Sequence, residues 1–507
     1  MKKILLCLLL INTIVIKSQT QFLDSTFGVN GIYSNIFSLP YTFEAGAITS
    51  QQKIIILSGY TNTNNTRTNI VQRLNVNGTL DSSFNTYIRL PQSITGVYDD
   101  LYLSKICIQA DEKILLSDLQ FRTLIRLNAD GTIDTTFGNN GTVNVLELSS
   151  ILGGFGLTTF AVDKIQDTSN NKFLVGVKAF DYNNFVYKFL VLRFNNNGTL
   201  DTGFGNNGAV IQDGHYGTMI TQGNFKFVVS SFNDSTMTTH INRYTSDGQI
   251  DSTFNNNNYQ FTASAPYENY IINSTGNSNA IYLYGLNSAP SNIHLMTLIK
   301  FDENGILDNS FGINGVKTEP FYNNGSYLVN NNVLFQSVFL DTNGNVFVSL
   351  SATQTNSASN YNQFIKKFTS SGNVDLSFGN NGIVEVDLGY SESVRSSILG
   401  HDNKILIFGN SNSNKGIISK VLNNTNSLVT KDVISKENIC IYPNPIKDFI
   451  FIESKLSLNN SVVEIFDYNG RLVFKGYIKN NKIDVRGLEI GSYFLKINNF
   501  SQKILKQ

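Results

Sequence analysis

Arg73-Leu74-Asn75-Val76-Asn77-Gly78-Thr79-Leu80-Asp81-Ser82-Ser83-Phe84 is the stretch on which the reading of this chain turns. An Asn-Gly pair between two apolar stretches is a strong local hairpin signal, because asparagine and glycine supply the positive φ that a tight turn needs. The segment therefore reads as strand, turn and returning strand. The aspartate reads as the cap of a turn through its carboxylate, and the phenylalanine three residues on as a core plug between neighbouring repeat units.

The phrase recurs seven times. Its aspartate and phenylalanine stand at Asp24 and Phe27, Asp81 and Phe84, Asp134 and Phe137, Asp201 and Phe204, Asp251 and Phe254, Asp308 and Phe311, and Asp375 and Phe378. Successive aspartates are separated by 57, 53, 67, 50, 57 and 67 residues. A period near 58 residues with variable gaps fits a four-stranded propeller blade carrying loop insertions. Two further strand signals recur with the same count. One is a short apolar run, as at Lys53-Ile54-Ile55-Ile56-Leu57 and Lys113-Ile114-Leu115-Leu116; the other starts with a basic residue, at Arg73, Arg126, Arg193, Arg243, Lys300, Lys367 and Lys420.

The ends of the repeat region complement one another. The first phrase, at Leu23, lacks its preceding basic strand, and the last basic strand, Lys420-Val421, lacks its phrase. A ring in which the N-terminal segment completes the final blade removes the open sheet edges that invite aggregation. The expected fold is all-β: a seven-bladed β-propeller over residues 19–427, a linker over 428–436, and a small immunoglobulin-like β-sandwich over 437–507. A linear β-solenoid is the competing architecture, although it has no reason to split one unit between its termini.

Composition bounds the function. The chain has 507 residues, 41% hydrophobic and 12% aromatic, enough to bury large cores. Its 38 basic and 38 acidic side chains cancel, so no field draws it to nucleic acid. Met1-Lys2-Lys3 and the apolar run Ile4–Ile16 have the form of a secretory signal, expected over residues 1–18, and the run is too short to anchor in a bilayer. No transmembrane helix is expected in the mature chain. Cys107 and Cys440 remain after the signal, too few for a disulfide framework or a cysteine zinc site.

The recurring R-L/F-N-x-N/D-G-T-L/I-D-x-x-F-G phrase resembles the delta-60 type of bacterial β-propeller repeat, which implies a scaffold and no particular substrate. Beyond Thr430 the repeats stop. Tyr442-Pro443-Asn444-Pro445, the Gly470-Arg471 turn, Gly491 with Tyr493, and the terminal Lys503-Ile504-Leu505-Lys506 resemble the C-terminal sorting domain of type IX secretion cargo. That resemblance implies passage into the periplasm, recognition by the type IX secretion machinery as partner, and release or attachment at the outer cell surface. A generic immunoglobulin-type adhesion module is the alternative for this domain.

Catalytic motifs are absent: the chain has no His-Glu-x-x-His, phosphate-binding loop, Gly-x-Ser-x-Gly elbow or Cys-x-x-Cys. His215, His240, His294 and His401 show no ligand spacing. No catalytic, cofactor-binding or metal-binding residue is assigned. Asp302-Glu303-Asn304-Gly305-Ile306-Leu307-Asp308 loosely resembles an oxygen-rich calcium loop, but its equivalents mostly carry Asn, Ser or Thr. Three roles follow. A non-catalytic propeller binding a glycan or surface protein stands first; a polysaccharide-degrading enzyme would need carboxylates unique to one or two blades, such as Asp99, Asp100 or Glu268; a structural part of a surface layer stands third.

Overall fold

The computed structural model describes residues 22–423 and 440–507. Excepted are 35–40, 62, 64–66, 85–101, 146–156, 169–171, 215–216, 234–237, 255–258, 263–268, 278, 289–293, 321–326, 330–336, 355–360, 390, 412–414, 454–457, 460, 468–470 and 498–499. The expected signal segment lies outside the described residues. The chain divides into two compact units between Thr425 and Asn426.

In the first unit the described strands form antiparallel sheets that follow one another along the chain. The first contains Thr42–Ile48, Ile54–Thr61 and Arg67–Leu74. The second contains Leu103–Ile108, Ile114–Asp118, Thr123–Leu127 and Thr142–Asn144; the third contains Leu157–Asp167, Lys172–Asp181, Val186–Asn195 and Ala209–Asp213. The fourth runs from Thr218–Thr221 to Tyr259–Thr262 and the fifth from Asn269–Gly276 to Val316–Pro320. The sixth is built on Ser337–Leu340, Val346–Gln354, Tyr361–Phe368 and Ile383–Val386, with Tyr327–Val329 also paired to its second strand.

The last sheet joins Glu392–Leu399, Lys404–Ser411 and Gly416–Leu422 to Ile32–Ser34 from the other end of the unit, in register Ile32↔Ser419 and Tyr33↔Ile418. The first strand of each sheet touches the first strand of the next. The last of them, Glu392–Leu399, touches Thr42–Ile48, so the contacts run in a closed cycle. Apolar residues fill the spaces between consecutive sheets. Phe27, Tyr33, Ile56, Leu74, Phe408 and Ile418, for example, form one core between the last sheet and the first.

The strands form where short apolar runs and turn residues direct them. In Leu74-Asn75-Val76-Asn77-Gly78-Thr79, the Asn75 N–H donates to the Thr79 carbonyl at 2.8 Å and the Gly78 N–H to the Asn75 carbonyl at 2.9 Å. Gly78 sits at φ +83, where a β-carbon would lie 3.0 Å from the Phe27 ring, so only glycine combines that backbone with that contact.

The second unit is a β domain of two sheets. Cys440–Tyr442, Phe449–Glu453 and Lys482–Asp484 form one; Leu472–Tyr477, Val462–Phe466, Gly491–Ile497 and Phe500–Lys506, in that spatial order, form the other. Ile450, Ile452, Val463, Ile465, Leu495 and Ile504 belong to a single core drawn from both. No helix among the described residues is long and apolar enough to cross a membrane.

Candidate functional site

The repeat aspartates form clamps. One carboxylate oxygen accepts the backbone N–H and the hydroxyl of the residue two positions on, as from Ser83 to Asp81 at 3.0 and 2.7 Å and from Thr136 to Asp134 at 3.1 and 2.6 Å. Asp24, Asp251, Asp308 and Asp375 repeat this with Thr26, Thr253, Ser310 and Ser377. Gly203 occupies the hydroxyl position after Asp201. The other oxygen takes the basic residue eight positions earlier, with Nε to oxygen distances of 2.7 Å for Arg73 to Asp81, 2.7 Å for Arg126 to Asp134, 2.6 Å for Arg193 to Asp201 and 2.8 Å for Arg243 to Asp251. Lysine substitutes at Lys300 to Asp308, 2.9 Å, and Lys367 to Asp375, 3.1 Å. Asp24 receives Lys420 at 3.8 Å.

A second cation joins five of these aspartates: Lys53 at Asp81, Lys113 at Asp134, Lys172 at Asp201, Lys226 at Asp251 and Lys404 at Asp24. Burial opposes ionisation of Asp81, and its bonds from Lys53, Ser83 and Arg73 overcome that opposition, holding the carboxyl far below the usual aspartate range. The same balance depresses Asp24, Asp134, Asp201, Asp251 and Asp375; at Asp308 the bonds from Ser310 and Lys300 lead and burial opposes them.

Each basic residue also lies over the phenylalanine of its own phrase: Arg73 over Phe84 at 4.8 Å, Arg126 over Phe137 at 4.5 Å, Arg193 over Phe204 at 4.4 Å and Arg243 over Phe254 at 4.9 Å. Lys420, Lys300 and Lys367 do the same over Phe27, Phe311 and Phe378 at 5.4, 5.9 and 5.7 Å. Several reach the next repeat, as Arg73 Nη1 does to the Ala129 carbonyl at 2.6 Å and Lys420 Nζ to the Val76 carbonyl at 3.2 Å. These groups are spent on holding repeats together. The second lysine of each clamp was visible in the sequence only as the residue preceding an apolar run.

The opposite ends of the strands carry a different chemistry. Several first strands contain an extra residue opposite their partner: Glu44 between Phe43 and Ala45, Ser104 between Leu103 and Lys105, and Arg395 between Val394 and Ser396. Such a bulge re-aims a side chain out of the sheet alternation. Glu44 accepts Arg67 Nη2 at 2.7 Å and Thr42 Oγ1 at 2.8 Å on one oxygen, and the Tyr102 hydroxyl at 2.6 Å on the other. The Arg67 guanidinium stacks 3.7 Å from the Tyr102 ring centre. Burial, then the Glu44 charge and hydrogen bond, push the Tyr102 hydroxyl up to about 12 against the pull of Arg67 and Arg395, so it remains a donor at neutral pH. Sequence reasoning did not find this cluster, because its members come from three separate strands or their approaches.

At the same end, the Lys172–Asp181 and Val186–Asn195 strands form a long hairpin whose tip exposes aromatic rings. Around Phe180 stand Tyr182 at 4.9 Å, Tyr187 at 5.0 Å and Phe185 at 6.4 Å between ring centres, all edge-to-face. The one sequence signal was the 67-residue gap between Asp134 and Asp201. Asp99, Asp100, Glu268 and His215 lie outside the described residues. His240 Nε2 meets Thr238 Oγ1 at 3.1 Å. The Asp302 carboxylate accepts the N–H groups of Asn304 and Ile306 at 2.9 and 2.8 Å, closing its own turn. Among the described residues no cluster of three or more His, Cys, Asp or Glu is placed to hold a metal ion.

In the second unit Asn444 brackets the final strand: its Nδ2 donates to the Lys503 carbonyl at 3.0 Å and its Oδ1 accepts the Leu505 N–H at 2.9 Å. Pro443 and Pro445 flank it, each after a cis peptide bond. Tyr442 stacks on Phe451 at 5.9 Å, the Tyr493 hydroxyl donates to the Glu489 carbonyl at 2.9 Å, and Arg471 pairs with Asp467 at 3.2 Å on the surface. Gly491 opens the strand that carries Tyr493, while Gly470 lies outside the described residues.

Comparison with known proteins agrees with these two units. Residues 440–507 match the family described as a secretion system C-terminal sorting domain. Residues 53–84, 120–137 and 168–204 match a domain of unknown function, DUF5122, described as a beta-propeller. No curated protein matches the chain. Similar solved structures include virginiamycin B lyase from Staphylococcus aureus, 11% identical, covering 77% of this chain and 99% of that one with a TM-score of 0.40. The beta-propeller domain of the Trilobed protease from Pyrococcus furiosus is 9% identical over 77% and 98% of the two chains, TM-score 0.40. Kuenenia stuttgartiensis hydrazine synthase is 8% identical over 76% and 97%, TM-score 0.42. The sorting domain implies interaction with the type IX machinery and secretion across the outer membrane to the surface or medium. The chain thus joins repeats of the DUF5122 beta-propeller family to a secretion system C-terminal sorting domain, and is a β-propeller protein exported by type IX secretion.

Proposed function

We propose that this exported protein is a seven-bladed, non-catalytic binding propeller whose hairpin-tip end engages a glycan or surface protein outside the cell. The closed cycle of first-strand contacts supports the blade number. The observation that carries the binding role is the asymmetry between the two ends of the strands. At one end all seven repeat aspartates are ion-paired and committed to structure. At the other end the strands vary in length and present an exposed aromatic hairpin.

The non-catalytic reading is supported by Glu44, whose two oxygens are both engaged and which therefore lacks the open coordination of a general acid or base. Binding without a metal is supported by the Asp302 carboxylate, which serves its own turn. A glycan array probed with the full chain, with and without calcium, tests the proposal when reducing-sugar release is followed in parallel. Saturable, calcium-independent binding without sugar release is the expected result. Sugar release would overturn the non-catalytic reading, and dependence on calcium would overturn the metal-free one.

A further inference from the structure

The aromatic hairpin of the third sheet carries a cost that its packing does not explain. Phe185 has φ +55, the left-handed region that bulky side chains rarely adopt. The second sheet contains a comparable turn: Phe121 has φ +56 and follows Asp118, whose carboxylate accepts the N–H groups of Arg122 and Thr123. There the strained backbone places the ring in the core, 1% exposed and 6.4 Å from Phe194. In the third sheet the strands have ten residues where those of the second have five. From their aligned starts at Lys172 and Lys113, the tip stands roughly 13 Å further out. Phe185 is 77% exposed there, with Tyr182 at 58% and Tyr187 at 37%.

We infer that Phe185, Tyr182 and Tyr187, held around Phe180, form a stacking platform for the pyranose rings of a neutral polysaccharide. The inference rests on the binding reading above and names its site and ligand class. Charge favours this occupant. The Asp181 carboxylate is turned inward on the Asn183 N–H at 2.9 Å and on the Asn184 N–H and Nδ2 at 3.2 and 2.8 Å, and Lys188 is neutralised by Asp213 at 2.6 Å. What remains outward at the tip, Tyr182, Asn183, Asn184 and Phe185, is aromatic and amide surface that carries no charge of its own. The C–H groups on a sugar face carry partial positive charge and meet the negative face of an aromatic ring, while amides suit its hydroxyls. Size agrees: three rings at these exposures offer roughly 300 Å². That covers two or three sugar units and falls well short of the roughly 800 Å² per partner of a stable protein interface.

Native affinity electrophoresis of the full chain tests the site, with β-glucan, xylan and mannan in the gel beside polygalacturonate and alginate. The expected result is retardation by at least one neutral polymer, weakened at least tenfold in Tyr182→Ala and in Phe185→Gly. Because glycine accepts φ +55 freely, Phe185→Gly is also expected to leave Tm unchanged or raised. A lower Tm would make the ring a structural staple and overturn the inference. Retardation by a neutral polymer that both variants retain would overturn this site while leaving the binding reading intact. Retardation by the charged polymers alone would overturn the ligand class, and none by any polymer would overturn the glycan reading itself.

Discussion

Asp24 donates its backbone N–H to the carbonyl of Lys420 at 2.8 Å, across a separation of almost the whole first unit. The Lys420 N–H returns to the Gly31 carbonyl at 2.9 Å, and Lys404 reaches the Asp24 carboxylate at 2.8 Å. The sheet that would otherwise end in an open edge is thereby completed by the N-terminal strand.

Asp24→Ala removes the carboxylate from this closure and leaves Lys404 and Lys420 without it. Breaking a mostly buried pair by deleting one partner costs about 3 kcal/mol. Chemical denaturation of the full chain is expected to show a loss of that order in the first-unit transition.

Arg126 touches Asp134, the carbonyl and side-chain oxygens of Asn196 in the next repeat, Gln109 Oε1 and the Phe137 ring. Its side chain and that of Asp134 are 2% and 4% exposed. Arg126→Met leaves Asp134 with Lys113 as its remaining ion-pair partner and is expected to cost about 3 kcal/mol. Arg126→Lys retains the charge but loses the fork, and is expected to cost about 1 kcal/mol, since lysine already holds this position at Lys300, Lys367 and Lys420. Denaturation midpoints of the two variants give the order.

The clamps make stability acid-sensitive. Asp24, Asp81, Asp134, Asp201, Asp251, Asp308 and Asp375 all ionise more readily in the folded chain than at the ordinary value of 3.8. Carboxyls depressed by folding contribute fully above that value, and the contribution is lost as pH falls through their lower folded values. Tm is expected to be flat with respect to these groups between pH 5 and 8, about one unit or more above it, and to fall steeply below pH 4. A Tm series across that range measures the slope, which should shrink in Asp134→Asn after its lower starting stability is allowed for.

Gly78→Ala places a methyl 2.9 Å from the Gly28 nitrogen and 3.0 Å from the Phe27 ring, at φ +83. The loss should exceed about 1 kcal/mol. Gly223→Ala meets nothing within 4 Å and serves as the matched control with little change. Tm of the two variants separates backbone fit from loss of glycine as such.

In the sorting domain, Asn444→Ala deletes both bonds to the final strand. A loss of about 1–2 kcal/mol in the domain is expected. Cell fractionation should then show more of the protein retained in the periplasm and less outside.

The repeat phrases, the hairpins and the split final sheet were legible because they depend on local chemistry. Asn77 and Gly78 make a turn whatever surrounds them, and the short apolar run Ile54-Ile55-Ile56-Leu57 marks a strand. The complementary ends of the repeat region imply the pairing of Leu23 with Val421 that the structure shows. Which charges meet was not legible: Lys53 lies 28 residues from Asp81, and Glu44 lies 58 from Tyr102. Nor does the local sequence distinguish Phe185 from Phe121, although folding buries one ring and exposes the other. By itself the sequence determined the all-β repeat, the sheet closure and the sorting domain, because turn residues and hydrophobic period act over a few positions. Only the tertiary structure decided the ion-pair clamps, the Glu44 cluster and the exposed hairpin tip. Each of these depends on how far a strand extends and on which distant strand lies beside it, and no local pattern encodes that.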